Sequence, residues 1–158
     1  IYALLYAAGD RKLGTLVGRS PSSGKDLRKH FFDNLPSFKS LRDRVTRAAG
    51  KKFLKGLDGR KIYIRSEHAA LNSLLQGGGA IVMKKGLELL DKRLSLTEIP
   101  YKFVANIHDE WQIEVRECQA NKVGQLAVQA IIDAAEHFNM RCPLDGEFKV
   151  GRSWDETH

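Results

Sequence analysis

The sequence is poor in cysteine and lacks a long apolar run, and these two scarcities exclude several classes of protein. Its two cysteines, Cys118 and Cys142, are too few for a disulfide scaffold and follow no metal-binding spacing. We therefore expect reduced thiols and a cytosolic location. No apolar segment approaches the roughly 18 residues of a membrane-spanning helix. The longest covers residues 1–8 with no basic segment before it, so we expect no secretory signal peptide.

Acidic residues are outnumbered by basic ones. The 158 residues include 26 Lys and Arg against 19 Asp and Glu, a formal net charge of +7. This excess favours an anionic partner, either nucleic acid or an acidic membrane surface. Apolar residues make up 42% of the chain, an ordinary globular composition. The length of 158 residues predicts one domain or a piece of one. Because the chain begins with Ile1 inside an apolar helical pattern, we expect it to be part of a longer sequence.

The order of apolar patterns predicts an α+β fold. Helices are predicted over residues 1–8, 10–17, 25–35, 36–49, 69–94 and 119–138, with a loop over 18–24. Asp58-Gly59 between two short apolar runs predicts a first hairpin. Alternation over residues 101–107 and 111–116 predicts a second hairpin, and residues 147–150 are predicted as a short strand. This order indicates helices packed with an antiparallel sheet.

Candidate chemistry is concentrated at the second hairpin. His108, Asp109 and Glu110 lie between its two strands, which places two adjacent acids on a rigid support. Carboxylates suit Mg²⁺, which binds one or two of them and takes its other ligands from waters and substrate phosphates. A plain turn is the alternative, because Asp is a favoured turn residue. One such carboxylate is too little for a site that binds two metal ions.

A run of three glycines follows Gln76 inside a predicted helix. Each interior glycine costs about 1 kcal/mol relative to alanine, so the run costs roughly 2–3 kcal/mol. Two explanations are open: the helix breaks here, or another helix or a nucleic acid approaches its backbone closely.

Positive charge is concentrated in the first hairpin and the segment before it. The basic residues are Arg47, Lys51, Lys52, Lys55, Arg60, Lys61 and Arg65. Such a surface would contact phosphates and give salt-sensitive binding without reading sequence. The alternative is a solvated hairpin with ordinary surface lysines.

Four segments in this order resemble the C-terminal part of family A DNA polymerases: IYALLYAAGDRKLGTLVG, LDGRKIYIRSEHAALNSLLQGGGA, NIHDEWQIEV and LDGEFKVGRSWDETH. Within that family they are most similar to replicative polymerases of short-tailed phages. The resemblance implies a polymerase hand, with residues 1–50 in the fingers helices and 51–158 in the palm. It also implies nucleotidyl transfer directed by primer–template DNA, with dNTP as substrate, Mg²⁺ as cofactor and no membrane partner. The implied location is the cytoplasm, which is the host cytoplasm if the protein is phage-encoded.

The resemblance implies a role for each candidate residue. Asp109 would be a ligand of the catalytic Mg²⁺ ions, Glu110 its acidic neighbour near the primer terminus, and His108 would lie beside the primer 3′ end. Tyr2 matches the position against the incoming sugar, where Tyr resembles enzymes tolerant of a missing 3′-OH. Tyr6, one helical turn later, matches the tyrosine at the templating position.

Three further residues match DNA-contacting positions of the family. Arg60 matches the Arg of a Gly-Arg pair. Asn72 and Gln76 match residues that contact the template and the minor-groove edge of the primer end, where the acceptor pattern is nearly the same for every base pair. The chain departs from the family at Ala3 and Ala7, where glycine is usual, and this departure could stiffen the fingers helix.

Other parts of the family's site precede the matched segments. These are the Arg and Lys that grip the triphosphate and the second metal-binding Asp. We therefore expect the chain to need an N-terminal polymerase half, either a separate chain or trimmed sequence, and to be inactive alone. A non-catalytic basic nucleic-acid-binding module, or a polymerase remnant, explains the charge equally well. A single-subunit RNA polymerase shares the His-Asp hairpin, although Glu110 and the Gln76 helix resemble the DNA enzymes.

Overall fold

The computed structural model describes residues 2–5, 8–18 and 20–158, apart from the side chains of Tyr2 and Leu5. The helices are α1 (Tyr2–Leu5), α2 (Asp10–Leu16), α3 (Pro21–Asn34), α4 (Pro36–Ala49), α5 (Ala70–Ser95), α6 (Glu117–His137) and α7 (Trp154–Thr157). The strands are β1 (Phe53–Lys55), β2 (Lys61–Tyr63), β3 (Tyr101–Ile107) and β4 (Glu110–Val115). Two antiparallel hairpins, β1–β2 and β3–β4, accompany the helices, which confirms the predicted α+β class.

The chain divides into two compact units, Ile1–Gly77 and Gly78–His158, and α5 contributes residues to both. The predicted division at residue 50 into a fingers part and a palm part stays a prediction.

Within the described ranges, no helix is both long enough and apolar enough to cross a membrane.

The first unit has a core between α4, the β1–β2 hairpin and the start of α5. Its buried residues are Val45, Ala49, Leu54, Ala70 and Leu71, with Phe38, Leu41, Ile64 and Leu74 packed against them. The register of β1–β2 pairs Leu54 with Ile62, so the Asp58-Gly59 turn predicted from sequence is confirmed. Gly59 adopts a φ of 85°, the left-handed conformation for which glycine is favoured in such turns.

The predicted loop over residues 18–24 is wrong for most of its length, because α3 begins at Pro21. The hydroxyl of Ser20 accepts a hydrogen bond from the backbone N–H of Ser23 at 3.5 Å and caps the helix. Proline suits the first helical position, where its missing N–H would have no partner in the helix. At Gly24 a Cβ would collide with the carbonyl oxygen of Asp10, so α3 packs backbone against backbone on α2.

The second unit packs the β3–β4 hairpin against α5 and α6. Its core contains Leu90, Leu94, Ile99, Val123 and Ala130, and the inward face of the hairpin covers it. The predicted strand over residues 147–150 is wrong, because this segment pairs with no other strand of the described chain. Instead, the ring of Phe148 lies directly on α6 at Gly124, where a Cβ would collide with the ring carbon Cδ2.

Helix α5 continues without a break through the glycine run, so the proposed helix break is wrong. The glycines in this helix have different surroundings. At Gly77 a Cβ would lie 2.8 Å from Cδ1 of Ile62, so this glycine lets the β1–β2 hairpin pack on the helix. At Gly79 a Cβ would meet no described atom within 4 Å, whereas Gly86 lies against the ring of Trp111.

This difference gives opposite expectations for two alanine substitutions in α5. Gly79→Ala should raise the free energy of unfolding by about 0.5–1 kcal/mol, because alanine favours the helix and its Cβ would meet no atom of a described residue. Gly86→Ala should lower it by about 1 kcal/mol, because the new Cβ would lie 2.8 Å from Cη2 of Trp111 and overpacking outweighs helix propensity. Urea unfolding followed by circular dichroism measures both. Equal shifts of the same sign would contradict this packing.

Candidate functional site

The β3–β4 hairpin turns through only two residues, His108 and Asp109. Ile107 pairs directly with Glu110 across the hairpin, so Glu110 is the first residue of β4. His108 has a φ of 52°, and tight two-residue hairpin loops require such positive angles. The prediction that all three residues of the His-Asp-Glu segment lie between the strands is therefore wrong for Glu110.

The hairpin is anchored by the inward side chains of β4. Trp111, Ile113 and Val115 pack on the core of the second unit, as their alternation with polar residues predicted. The ring of Trp111 lies against Gly86 of α5, where a Cβ would be 2.8 Å from Cη2. The two-residue loop therefore sits at the end of a packed ribbon, and its side chains are held on a rigid support.

The carboxylate of Asp109 is exposed and makes no hydrogen bond or ion pair with the described residues. Both of its oxygens are thus available to a hard cation, the chemistry that suits Mg²⁺. Among the residues that the structure describes, no three His, Cys, Asp or Glu side chains gather as a metal site. Asp109 is the one residue that sequence reasoning assigned to metal binding.

The neighbouring carboxylate, Glu110, has hydrogen-bond partners at both oxygens. Oε1 accepts hydrogen bonds from Nε2 of Gln112 and, at 3.0 Å, from Nε1 of Trp154. Oε2 lies 2.9 Å from Nδ1 of His158. The hydrogen bonds from Gln112 and then from His158 hold the pKa of the Glu110 carboxyl below its usual value. The group is therefore ionised at neutral pH, and Nδ1 of His158 is the donor.

Sequence reasoning missed the two residues of the C-terminal segment that contact Glu110. Trp154 and His158 lie 44 and 48 residues after their partner along the chain. Thr157 adds an indirect link, because its hydroxyl donates to Oε1 of Gln112 at 3.3 Å. No local pattern signals contacts over such a separation.

The candidate DNA-contacting residues lie in the first unit. Arg60 follows the β1–β2 turn, and its Nε lies 2.5 Å from Oδ2 of Asp58. Asn72 and Gln76 are one helical turn apart on α5 and therefore share a face. Gln76 is exposed. Asn72 is half-buried, and its Oδ1 is buried without a hydrogen-bond partner in the described part of the chain.

The basic residues around the first hairpin form an exposed surface. All seven members of this basic surface are exposed: Arg47, Lys51, Lys52, Lys55, Arg60, Lys61 and Arg65. Only Arg60 forms an ion pair with another residue of the described chain. Tyr63 lies among them with 76% of its surface exposed. Most of these charges are therefore available to an anionic partner.

The two candidate nucleotide-binding tyrosines fall largely outside the described residues. Tyr2 begins α1, but its side chain is not among the described groups, and Tyr6 lies outside the described residues altogether. Their roles stay predictions.

Known proteins resemble this chain in sequence and in fold. A model of DNA polymerase family A matches residues 1–156. The DNA-directed DNA polymerases of Enterobacteria phage T3 and Escherichia phage T7 are 38% and 34% identical to the chain, in alignments that cover 100% of it and 26% of each relative. The chain thus spans about a quarter of the length of these relatives.

A solved structure shows the same fold. The POL domain of Pol1 from M. smegmatis, in complex with DNA primer-template and dNTP, matches 98% of this chain and 29% of its own chain. The TM-score is 0.79 and the sequence identity is 25%. The resemblance inferred from four sequence segments is confirmed by these matches, including the similarity to phage enzymes.

Proposed function

The chain belongs to DNA polymerase family A, and from this premise we propose that it forms part of a DNA-directed DNA polymerase and supplies one carboxylate of the nucleotidyl-transfer site. The observation that carries the proposal is the exposed Asp109 at the tip of a packed hairpin, which has no partner among the described residues. The reaction joins the primer 3′-OH to the α-phosphate of a dNTP by in-line attack, and pyrophosphate leaves.

Asp109 is the proposed Mg²⁺ ligand of this chain. Its exposure, and two oxygens that no described residue engages, fit an ion that keeps several waters and binds one or two carboxylates. When bound, Mg²⁺ supplies Lewis acidity that lowers the pKa of the attacking hydroxyl and neutralises charge on the triphosphate. A single carboxylate cannot hold two such ions. The proposed complete site therefore takes its second aspartate, and the Arg and Lys that bind the triphosphate, from polymerase residues outside this chain.

The remaining residues receive binding roles in this proposal. His108 and Glu110 would lie near the primer terminus, and the fingers part, residues 1–50, would bring Tyr2 and Tyr6 to the incoming nucleotide. In the palm part, residues 51–158, the proposed contacts to primer–template are Arg60, Asn72 and Gln76. The exposed basic surface supports this proposal, because every member except Arg60 lacks an ion pair with a described residue and is available to phosphates. Arg60 would exchange its ion pair with Asp58 for a phosphate contact.

A polymerase that includes this chain should extend an annealed primer only with the complementary nucleotide and only with Mg²⁺ present. We expect incorporation of dNTPs to be much faster than that of rNTPs, because the similar phage proteins are DNA-directed DNA polymerases. Primer-extension gels with single nucleotides measure base choice and sugar choice together. A preference for rNTPs would instead indicate a single-subunit RNA polymerase.

The exposed basic surface also favours a second candidate function, a non-catalytic nucleic-acid-binding module. This candidate predicts DNA binding that weakens steeply with salt, with no requirement for Mg²⁺ and no nucleotide incorporation in any assembly. It leaves the exposed Asp109 without a role. Primer extension by an assembled enzyme therefore separates the two candidates.

A further inference from the structure

Three residues of the C-terminal segment, Trp154, Thr157 and His158, contact the hairpin that carries the proposed metal ligand. Trp154 and His158 are one helical turn apart, and their rings meet edge to face with centroids 5.8 Å apart. Each ring presents an N–H group to a different oxygen of Glu110, at 3.0 Å from Trp154 and 2.9 Å from His158. The two rings therefore form hydrogen bonds with both oxygens of one carboxylate.

We propose that Trp154 and His158 are positioning residues that fix the Glu110 carboxylate beside the primer-terminus site. This inference rests on the proposed polymerase function. A carboxylate with both oxygens engaged by donors is held in one orientation and is a poorer ligand for a cation. The exposed carboxylate of Asp109, by contrast, has no hydrogen-bond or ion-pair partner in the part of the chain that the structure describes. The contacts thus give two adjacent acids different roles, since environment decides what each carboxylate can do.

The segment that presents the two rings is itself held by internal contacts. The backbone N–H of Arg152 donates to Oε2 of Glu156 at 2.7 Å. At Gly151 a Cβ would lie 2.7 Å from Cβ of Glu156, so the chain folds closely onto α7. Thr157 donates to Gln112, which itself donates to Glu110. Because of these contacts, the hydrogen bonds from Trp154 and His158 to Glu110 belong to a connected network and are not isolated.

The rate at which the indole N–H hydrogens exchange with solvent tests the hydrogen bond from Trp154 to Glu110 without measuring activity. The chain has two tryptophans, and the indole N–H of Trp111 is buried, so it is an internal reference. In Glu110→Ala we expect the indole hydrogen of Trp154 to exchange about 10-fold faster, because a hydrogen bond to a charged acceptor is lost. The Trp111 signal should keep its rate. Unchanged exchange at Trp154 would overturn the proposal.

Kinetics of the assembled polymerase test the positioning role. We expect Trp154→Phe, which keeps an aromatic ring but loses the donor, and His158→Ala each to lower kcat about 10-fold. KM for dNTP should change less than about 2-fold. His158→Asn should recover most of the loss, because its amide places a donor near the position of Nδ1.

The matched control is Asp155→Asn, an exposed residue on the same short helix, which should leave kcat unchanged. Unaltered kcat in both Trp154→Phe and His158→Ala would overturn the positioning role while the polymerase proposal stood. An assembled enzyme that is inactive before any substitution would overturn the proposed function and the positioning role with it. The two failures are distinguishable, because only the first leaves an active enzyme.

Discussion

Asp109→Asn should lower kcat for dNTP incorporation by about 10³-fold or more in the assembled polymerase. Asparagine has nearly the same size but no negative charge, so it cannot replace a carboxylate as a ligand of a divalent cation. Affinity for primer–template should barely change, because the exposed side chain is not proposed as a phosphate contact. Steady-state primer extension at saturating dNTP measures kcat, and fluorescence anisotropy of labelled DNA measures affinity.

The same substitution should leave folding intact. The Asp109 side chain is exposed and has no partner among the described residues, so the free energy of unfolding should change by no more than about 0.5 kcal/mol. The matched control is Glu114→Gln, which removes an exposed acid from the same hairpin. We expect this control to keep kcat. A folded Asp109→Asn enzyme with kcat close to that of the unaltered protein would contradict the proposed metal-binding role.

The isolated chain should bind DNA but incorporate no nucleotide. It supplies one proposed metal-binding carboxylate, and two divalent ions need at least a second one between them. Adding a polymerase fragment that carries the second Asp and the triphosphate-binding Arg and Lys should restore incorporation. The expected gain is from no detectable extension to readily measured extension of a labelled primer.

Two controls show whether the restored incorporation depends on both parts of the polymerase and on Asp109. The added fragment should be inactive alone, and it should stay inactive when mixed with the Asp109→Asn chain. Mg²⁺-dependent incorporation by residues 1–158 alone would refute the idea that the site is shared with residues outside this chain.

The strongest sequence patterns predicted the elements that position the site. The alternation of Trp111, Ile113 and Val115 with polar residues predicted β4 and its buried face, because a half-buried strand repeats every two residues. Asp58-Gly59 predicted the first hairpin, since the turn needs a positive φ that glycine supplies. The resemblance to the polymerase family added roles that no pattern of this kind contains.

What the sequence did not predict depends on distant contacts or on exact turn length. Whether Glu110 belongs to the loop or to β4 depends on the positive φ of His108, which a short polar segment does not reveal. Phe148 and Trp154 follow one another closely in sequence, yet each takes its position from a residue far upstream, Gly124 and Glu110 respectively. Local periodicity carries no information about such contacts.

The glycine run shows the same limit within one helix. The sequence alone indicated that three interior glycines destabilise a helix, but it did not predict which of them packs against another element. Gly77 is required by Ile62 of the first hairpin, whereas Gly79 meets nothing in the described chain. Only the fold distinguishes a glycine that permits internal packing from one that leaves the helix surface open.

The metal-binding role of Asp109 is tested most directly by paramagnetic broadening with Mn²⁺, which accepts the same oxygen ligands as Mg²⁺. The measurement uses ¹⁵N-labelled chain reconstituted with the complementary polymerase fragment, primer–template and dNTP. At low Mn²⁺ the amide signals of His108, Asp109 and Glu110 should broaden first, and Asp109→Asn should remove the effect. Broadening that leaves these three signals sharp, or that persists in Asp109→Asn, would contradict a metal site at this hairpin.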